Sequence, residues 1–120
     1  MASLEGLYRI LSQSTQGNES RFVLELDPSH VVYQGHFPGY PVTPGVTLMK
    51  IVQELTEHLC GRKLEFLSAS RTKFLGVVDP EKSQSIEFSL RLSDNGETVY
   101  VSAGATHAGS ECFVTRVQFK

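Results

Sequence analysis

An α+β architecture, with a curved antiparallel sheet wrapped around one long helix, is what the patterning of this chain calls for. Three features carry it. Between residues 44 and 60 the apolar positions Val46, Met49, Val52 and Leu55 follow helical spacing, with Leu48 and Leu59 widening the stripe. The segments after that helix read as strands, the clearest of them alternating apolar and polar residues. Turn residues, above all Asp94-Asn95-Gly96, sit between alternating runs where a hairpin needs them. The 120 residues suit one domain, residues 1–120, and a 40% hydrophobic content is enough to fill its core.

The elements follow in order. Residues 6 to 14 read as a short first strand, with Leu7 and Tyr8 near its start. Gln16-Gly17-Asn18-Glu19 is a turn. Residues 21 to 27 alternate, Phe22, Leu24 and Leu26 against Val23 and Glu25, and Pro28 ends that strand. Val31-Val32-Tyr33 adds a small extended piece before a Gly- and Pro-rich loop over residues 34 to 45. Thr43 is placed to cap the helix and Pro44 suits its first position. Gly61 suits the residue that ends it. Because apolar residues ring much of its circumference, this helix is expected to be largely buried.

Only strands follow. Residues 63 to 74 form a long mixed segment, with Lys63, Arg71 and Lys73 on one strand face if no bulge intervenes. That face is either simply solvated or an electropositive rim for an acidic partner or phosphate. Pro80 turns the chain. Residues 84 to 92 set Ile86, Phe88, Leu90 and Leu92 against Glu87, Ser89 and Arg91. Residues 97 to 106 put Val99, Val101, Ala103 and Ala105 on one side. Ala108-Gly109-Ser110 turns again, and Phe113, Val117 and Phe119 line the last strand.

Composition excludes several classes of function. A net charge of −2 argues against nucleic acid as a partner. No apolar run approaches the ~18 residues of a membrane-spanning helix. Met1 to Ile10 lacks a basic segment followed by an apolar one, so no signal peptide is expected. Two cysteines, Cys60 and Cys112, are too few for a disulfide framework and lack metal spacing, so they read as small buried hydrophobes in a cytoplasmic protein. His30, His58 and His107 read as surface or partly packed residues with no metal-ligand spacing.

His36 is different. It lies in the turn-rich loop that runs into the helix. A histidine titrates near neutral pH, and a helix start offers unpaired N–H groups with a partial positive charge. A base beside such donors is what proton abstraction next to a carbonyl requires. The plainer reading of His36 is a loop histidine satisfied by the backbone. For Gly45 and Val46 the plain reading, helix-start geometry, is compatible with donation to a substrate oxygen.

The run His36-Phe37-Pro38-Gly39-Tyr40-Pro41-Val42-Thr43-Pro44-Gly45-Val46 resembles the active-site segment of the β-hydroxyacyl-acyl-carrier-protein dehydratases, whose pattern is His-Phe-Pro-Gly-x-Pro-x-x-Pro-Gly. Lys73-Phe74-Leu75-Gly76-Val77-Val78-Asp79-Pro80 resembles that family's segment after the third main strand. The resemblance covers most of the chain and implies the hotdog fold. It also implies loss of water from a 3-hydroxyacyl thioester whose acyl chain hangs on the phosphopantetheine arm of an acyl carrier protein, with no metal or diffusible cofactor. It further implies sites shared between two protomers, in a homodimer or in a heterodimer with a related dehydratase subunit. His36 is then the base that takes the α-proton. Phe37, Pro38, Gly39, Pro44, Gly45 and Val46 are the substrate-binding positions, with the N–H near Gly45 polarising the thioester carbonyl.

One departure bears on the chemistry. The family's helix carboxylate lies fourteen positions after the histidine, and here that position is Lys50. A lysine lacks a carboxylic acid for the departing hydroxyl, though as a cation it can stabilise an enolate. Glu54 follows on the same helix face, one turn or ~5–6 Å away. It is either a relocated acid or the ion-pair partner of Lys50. A non-catalytic acyl-binding or partner subunit is the alternative to a dehydratase. A hotdog thioesterase is the weaker third reading, because thioesterases of this fold generally rely on an acidic residue where the His-Phe-Pro-Gly run stands.

Overall fold

The computed structural model describes residues 4–34 and 42–120. In chain order it has β1 (Tyr8–Gln16), β2 (Glu19–Leu26), a single 3-10 turn (Val31–Tyr33), α1 (Gly45–Cys60), β3 (Phe66–Phe74), β4 (Ser85–Asp94), β5 (Val99–His107) and β6 (Ser110–Phe119). The six strands form one antiparallel sheet in the order β1-β2-β4-β5-β6-β3. The α+β expectation holds: one long helix lies against one face of an antiparallel sheet.

The alternation read from the sequence sets that face. Phe22, Leu24 and Leu26 of β2, Ile86, Phe88 and Leu90 of β4, and Val99, Val101, Ala103 and Ala105 of β5 are all buried. They share one core with Leu48, Ile51, Val52 and Leu55 of α1. Side chains alternate across a strand, so each buried residue on the central strands is followed by one facing away from the helix. On β6 a bulge interrupts the alternation. Ala105 pairs with Phe113 while Thr106 pairs with Glu111, so Cys112 is the extra residue. Its Sγ bonds the Ala105 carbonyl at 3.4 Å, and Cys112 and Phe113 are both buried.

Three expectations need correction. Val31–Tyr33 is a 3-10 turn, because His30 caps it: its Nδ1 accepts from the Val32 amide at 2.9 Å, and its Nε2 meets the Glu5 carbonyl at 3.0 Å. His107 is buried, with Nε2 donating to the Ser83 carbonyl at 3.0 Å, which gives that ring nitrogen a protein partner. Lys63, Arg71 and Lys73 do not form a regular face. Ser70 pairs with Arg116 and Lys73 with Val114, so β3 carries one extra residue there, and Arg71 takes φ 52° within it.

α1 ends as expected, at Gly61 with φ 71°, whose N–H bonds the Glu57 carbonyl. Only Val46 and His58 of its sixteen residues are exposed, in keeping with a largely covered helix. Its buried stripe nevertheless runs through Leu48, Ile51, Val52 and Leu55, and Val46 is left 58% exposed.

Candidate active site

His36, Phe37, Pro38 and Gly39 lie outside the described residues. The residues on either side of that segment are well defined. Pro44, not Thr43, is the N-cap of α1, with an extended backbone and no side-chain cap. The amides of Thr47 and Leu48 both bond the Pro44 carbonyl, at 3.0 and 3.1 Å. The Gly45 and Val46 amides come earlier in the helix, where no intrahelical acceptor exists. N–H groups at a positive helix end can receive an oxygen that gains negative charge.

Thr43 has another occupation. Its Oγ1 is 2.9 Å from the Tyr33 hydroxyl, and its amide bonds the Val78 carbonyl at 2.9 Å. Burial pushes the Tyr33 phenol above its ordinary pKa, and the Thr43 hydroxyl opposes this in part.

Phe74 closes the other side of the helix start. A Cβ on Gly45 would stand 2.6 Å from the Phe74 ring, so only glycine lets the ring pack directly on the backbone there. The same ring stacks on Phe113 with centroids 5.3 Å apart. Phe74 is still 57% exposed, and its neighbours Leu75 and Val77 are exposed as well. The first amides of the helix therefore border an exposed apolar surface.

Lys50 and Glu54 do not meet. Among the described residues Lys50 has no ion pair within 4.0 Å. Glu54 instead accepts a 2.7 Å hydrogen bond from the Tyr8 hydroxyl at the start of β1. Burial first, then the Glu54 carboxylate, hold the Tyr8 phenol well above its ordinary pKa. The neighbouring helix residues Gln53 and Glu57 serve the fold. Gln53 Nε2 donates to the Leu64 carbonyl and Glu57 accepts from the Leu64 amide, each at 2.9 Å, which docks the chain leaving the helix.

The structure thus brings Pro44, Gly45 and Val46 together with Thr43, Tyr33 and Phe74, and separates Lys50 from Glu54. Tyr8 and Tyr33 had no site signal of their own in the sequence, and Phe74 had only its place in the Lys73–Pro80 run, since each matters through a residue distant along the chain. Among the described residues no cluster of His, Cys, Asp and Glu has the makings of a metal site. Among the described residues no helix is long and apolar enough to cross a membrane.

Comparisons with known proteins give the family and the fold. The model of the ApeI-like family, described as ApeI dehydratase, matches residues 12–111. The chain is 29% identical over 110 residues to the 3-hydroxyacyl-(acyl-carrier-protein) dehydratase FabZ of Pelotomaculum thermopropionicum, covering 86% of this chain and 76% of that protein. With the FabZ of Sulfurimonas denitrificans it shares 28% over 102 residues, covering 74% of this chain and 66% of that one. Among solved structures, the dehydratase heterocomplex ApeI:P from Xenorhabdus doucetiae superposes with a TM-score of 0.76 at 18% identity, over 93% of this chain and 96% of that one. A putative thioesterase from Shewanella oneidensis does so with 0.61 at 15% identity, over 97% and 84%. At these identities the superpositions establish the shared hotdog fold.

Proposed function

This chain belongs to the ApeI-like dehydratase family, and on that premise we propose that it removes water from 3-hydroxyacyl thioesters held on an acyl carrier protein. In this reading His36 takes the α-proton. The Gly45 and Val46 amides hold the thioester oxygen as the enolate forms, and an acid protonates the departing hydroxyl. Phe37, Pro38, Gly39 and Pro44 line the acyl path, and no metal or diffusible cofactor takes part. The observation that carries the reading is the helix start. It follows directly on the His36 segment, has no side-chain cap, and is bordered by the exposed Phe74 ring.

The acid is assigned by what its candidates already do. We place Lys50 at the family's carboxylate position, where it puts an amine in place of a carboxylic acid. Glu54 is engaged by Tyr8, which favours a role in holding β1 to α1. The acid is then contributed by a second chain, and the working form is a pair of related subunits with this chain as the histidine-bearing half. The ApeI:P heterocomplex is a precedent for such pairing within the same fold. The uncovered β3 edge offers a place for it.

Turnover of a 3-hydroxyacyl carrier-protein substrate tests this, for the chain alone and with a related dehydratase subunit bearing a helix carboxylate. The chain alone is slow. Adding the second subunit, or substituting Lys50→Glu, raises the rate within the ~10²–10⁴-fold range of general acid help. His36→Ala abolishes turnover in both settings. Fast turnover by the chain alone that is indifferent to Lys50→Glu would overturn the assignment of the acid, and turnover surviving His36→Ala would overturn that of the base.

A further inference from the structure

The hydroxyl pair Tyr33–Thr43 brackets the segment that carries His36. Nine residues separate the two, and His36 is the third after Tyr33. Both side chains are buried, and their oxygens are 2.9 Å apart. Each end is anchored independently. Tyr33 closes the 3-10 turn with its amide on the His30 carbonyl at 3.1 Å, and His30 is itself tied to Glu5 and Val32. Thr43 is tied through its amide to Val78. These contacts tie each end to its own surroundings, and the hydroxyl bond is the direct link between the two ends.

A second consequence concerns the helix. Thr43 carries the hydroxyl just ahead of α1, the type of group that ordinarily turns in to satisfy the first amides. It is turned to Tyr33 instead, and the helix has no side-chain cap. Two apolar residues of the same shape would fill this buried space without needing each other, because a buried hydroxyl gains little when paired and costs much when orphaned.

We propose that Tyr33 and Thr43 are positioning residues for the dehydration. Their bond sets the distance between the two ends of the His36 segment, and it keeps the Thr43 hydroxyl away from the amides that receive the thioester oxygen. The proposal rests on the reading of His36 as the base.

Four variants separate positioning from stability: Tyr33→Phe, Thr43→Val, the double variant, and Thr43→Ser. Each is measured by thermal unfolding, by kcat and KM in the active assembly, and by amide exchange at Gln34 and residue 43. Tyr33→Phe and Thr43→Val each orphan a buried hydroxyl and lower the melting temperature. The double variant orphans none and recovers it. kcat nevertheless falls about tenfold in all three, because misplacement of reacting groups is costly, while KM stays within about twofold. Thr43→Ser keeps the hydroxyl and keeps kcat, although it loses a buried methyl. Exchange at Gln34 and residue 43 is about tenfold faster in the double variant, while amides in the middle of β4 are unchanged.

A double variant that recovers both melting temperature and kcat overturns the proposal, as does a Thr43→Ser enzyme as slow as Thr43→Val. If the wild type turns over no 3-hydroxyacyl substrate in any assembly, the dehydratase reading fails, and the exchange data then judge the clamp alone. Unchanged exchange at both loop-base amides in the double variant would remove it.

Discussion

Lys50 and Glu54 stand one helical turn apart on the same face, yet Glu54 bonds a tyrosine 46 positions earlier in the chain. Two physical reasons favour that choice. A lysine N-terminal to a glutamate at this spacing is the weaker order for a helical ion pair, worth only a few tenths of a kcal/mol. A phenol donating to a carboxylate in a half-buried setting forms a charge-assisted bond without restraining a long cationic side chain. Tyr8→Phe should therefore cost about 1 kcal/mol of stability in urea unfolding, with little effect on turnover. Glu54→Gln should leave turnover nearly unchanged, whereas Lys50→Glu should raise it; the reverse ranking would make Glu54 the acid. The Tyr8 phenol also carries a pH signature. Its folded pKa is raised, so the unfolded chain releases this proton first, from about pH 10. Stability is intact below that value and falls as pH rises above it. Melting temperatures at pH 8 and 10.5 should show the loss, and Tyr8→Phe should make it shallower, with the buried Tyr33 accounting for part of what remains.

α1 was legible from its periodicity, its terminating glycine and the proline at its start, because these are signals carried within a few residues. Its orientation was not. The apolar ring of the sequence admitted Val46 into the buried stripe, and packing against β2, β4 and β5 chose Leu48, Ile51, Val52 and Leu55 instead. The exposed Val46 is then available at the helix start. β3 shows the same limit: even spacing put Lys63, Arg71 and Lys73 on one face, but the extra residue against β6 breaks the alternation. The contact between β3 and α1 can be tested directly. Gly45→Ala would drive a methyl into the Phe74 ring and displace it from Phe113, costing about 1 kcal/mol, the size of an aromatic pair. In a Phe74→Ala background the same change should be neutral or slightly stabilising, since alanine is the better helix residue. Equal costs in both backgrounds, read by thermal unfolding, would mean that the ring is not what the glycine accommodates.

β1 and β3 are the edges of the sheet, and every residue of β3 is exposed. Phe66 at 52%, Leu67 at 43% and Phe74 at 57% are costly to leave in water along an unpaired edge. Pairing along β3 would cover them and bring a second chain toward the helix start. Light scattering at micromolar concentration should accordingly give twice the chain mass. Leu67→Asp should shift the species toward a single chain with its circular dichroism intact. A wild-type monomer would remove the edge-to-edge pairing of two copies and leave the shared site to the pairing with a related subunit.

The periodicities of β2, β4, β5 and α1, the hairpin at Asp94-Asn95-Gly96 and the run from His36 to Val46 were complete in the sequence, because each is written in residues a few positions apart. They were enough to determine the α+β architecture and the resemblance to a dehydratase. The partners of the site were not. Tyr8 reaches Glu54, Tyr33 reaches Thr43 and Phe74 reaches Gly45 only once the sheet has closed on the helix. Which of several chemically similar groups meets a given hydroxyl or carboxylate depends on register, bulges and packing summed over the whole sheet, and no local pattern encodes that sum.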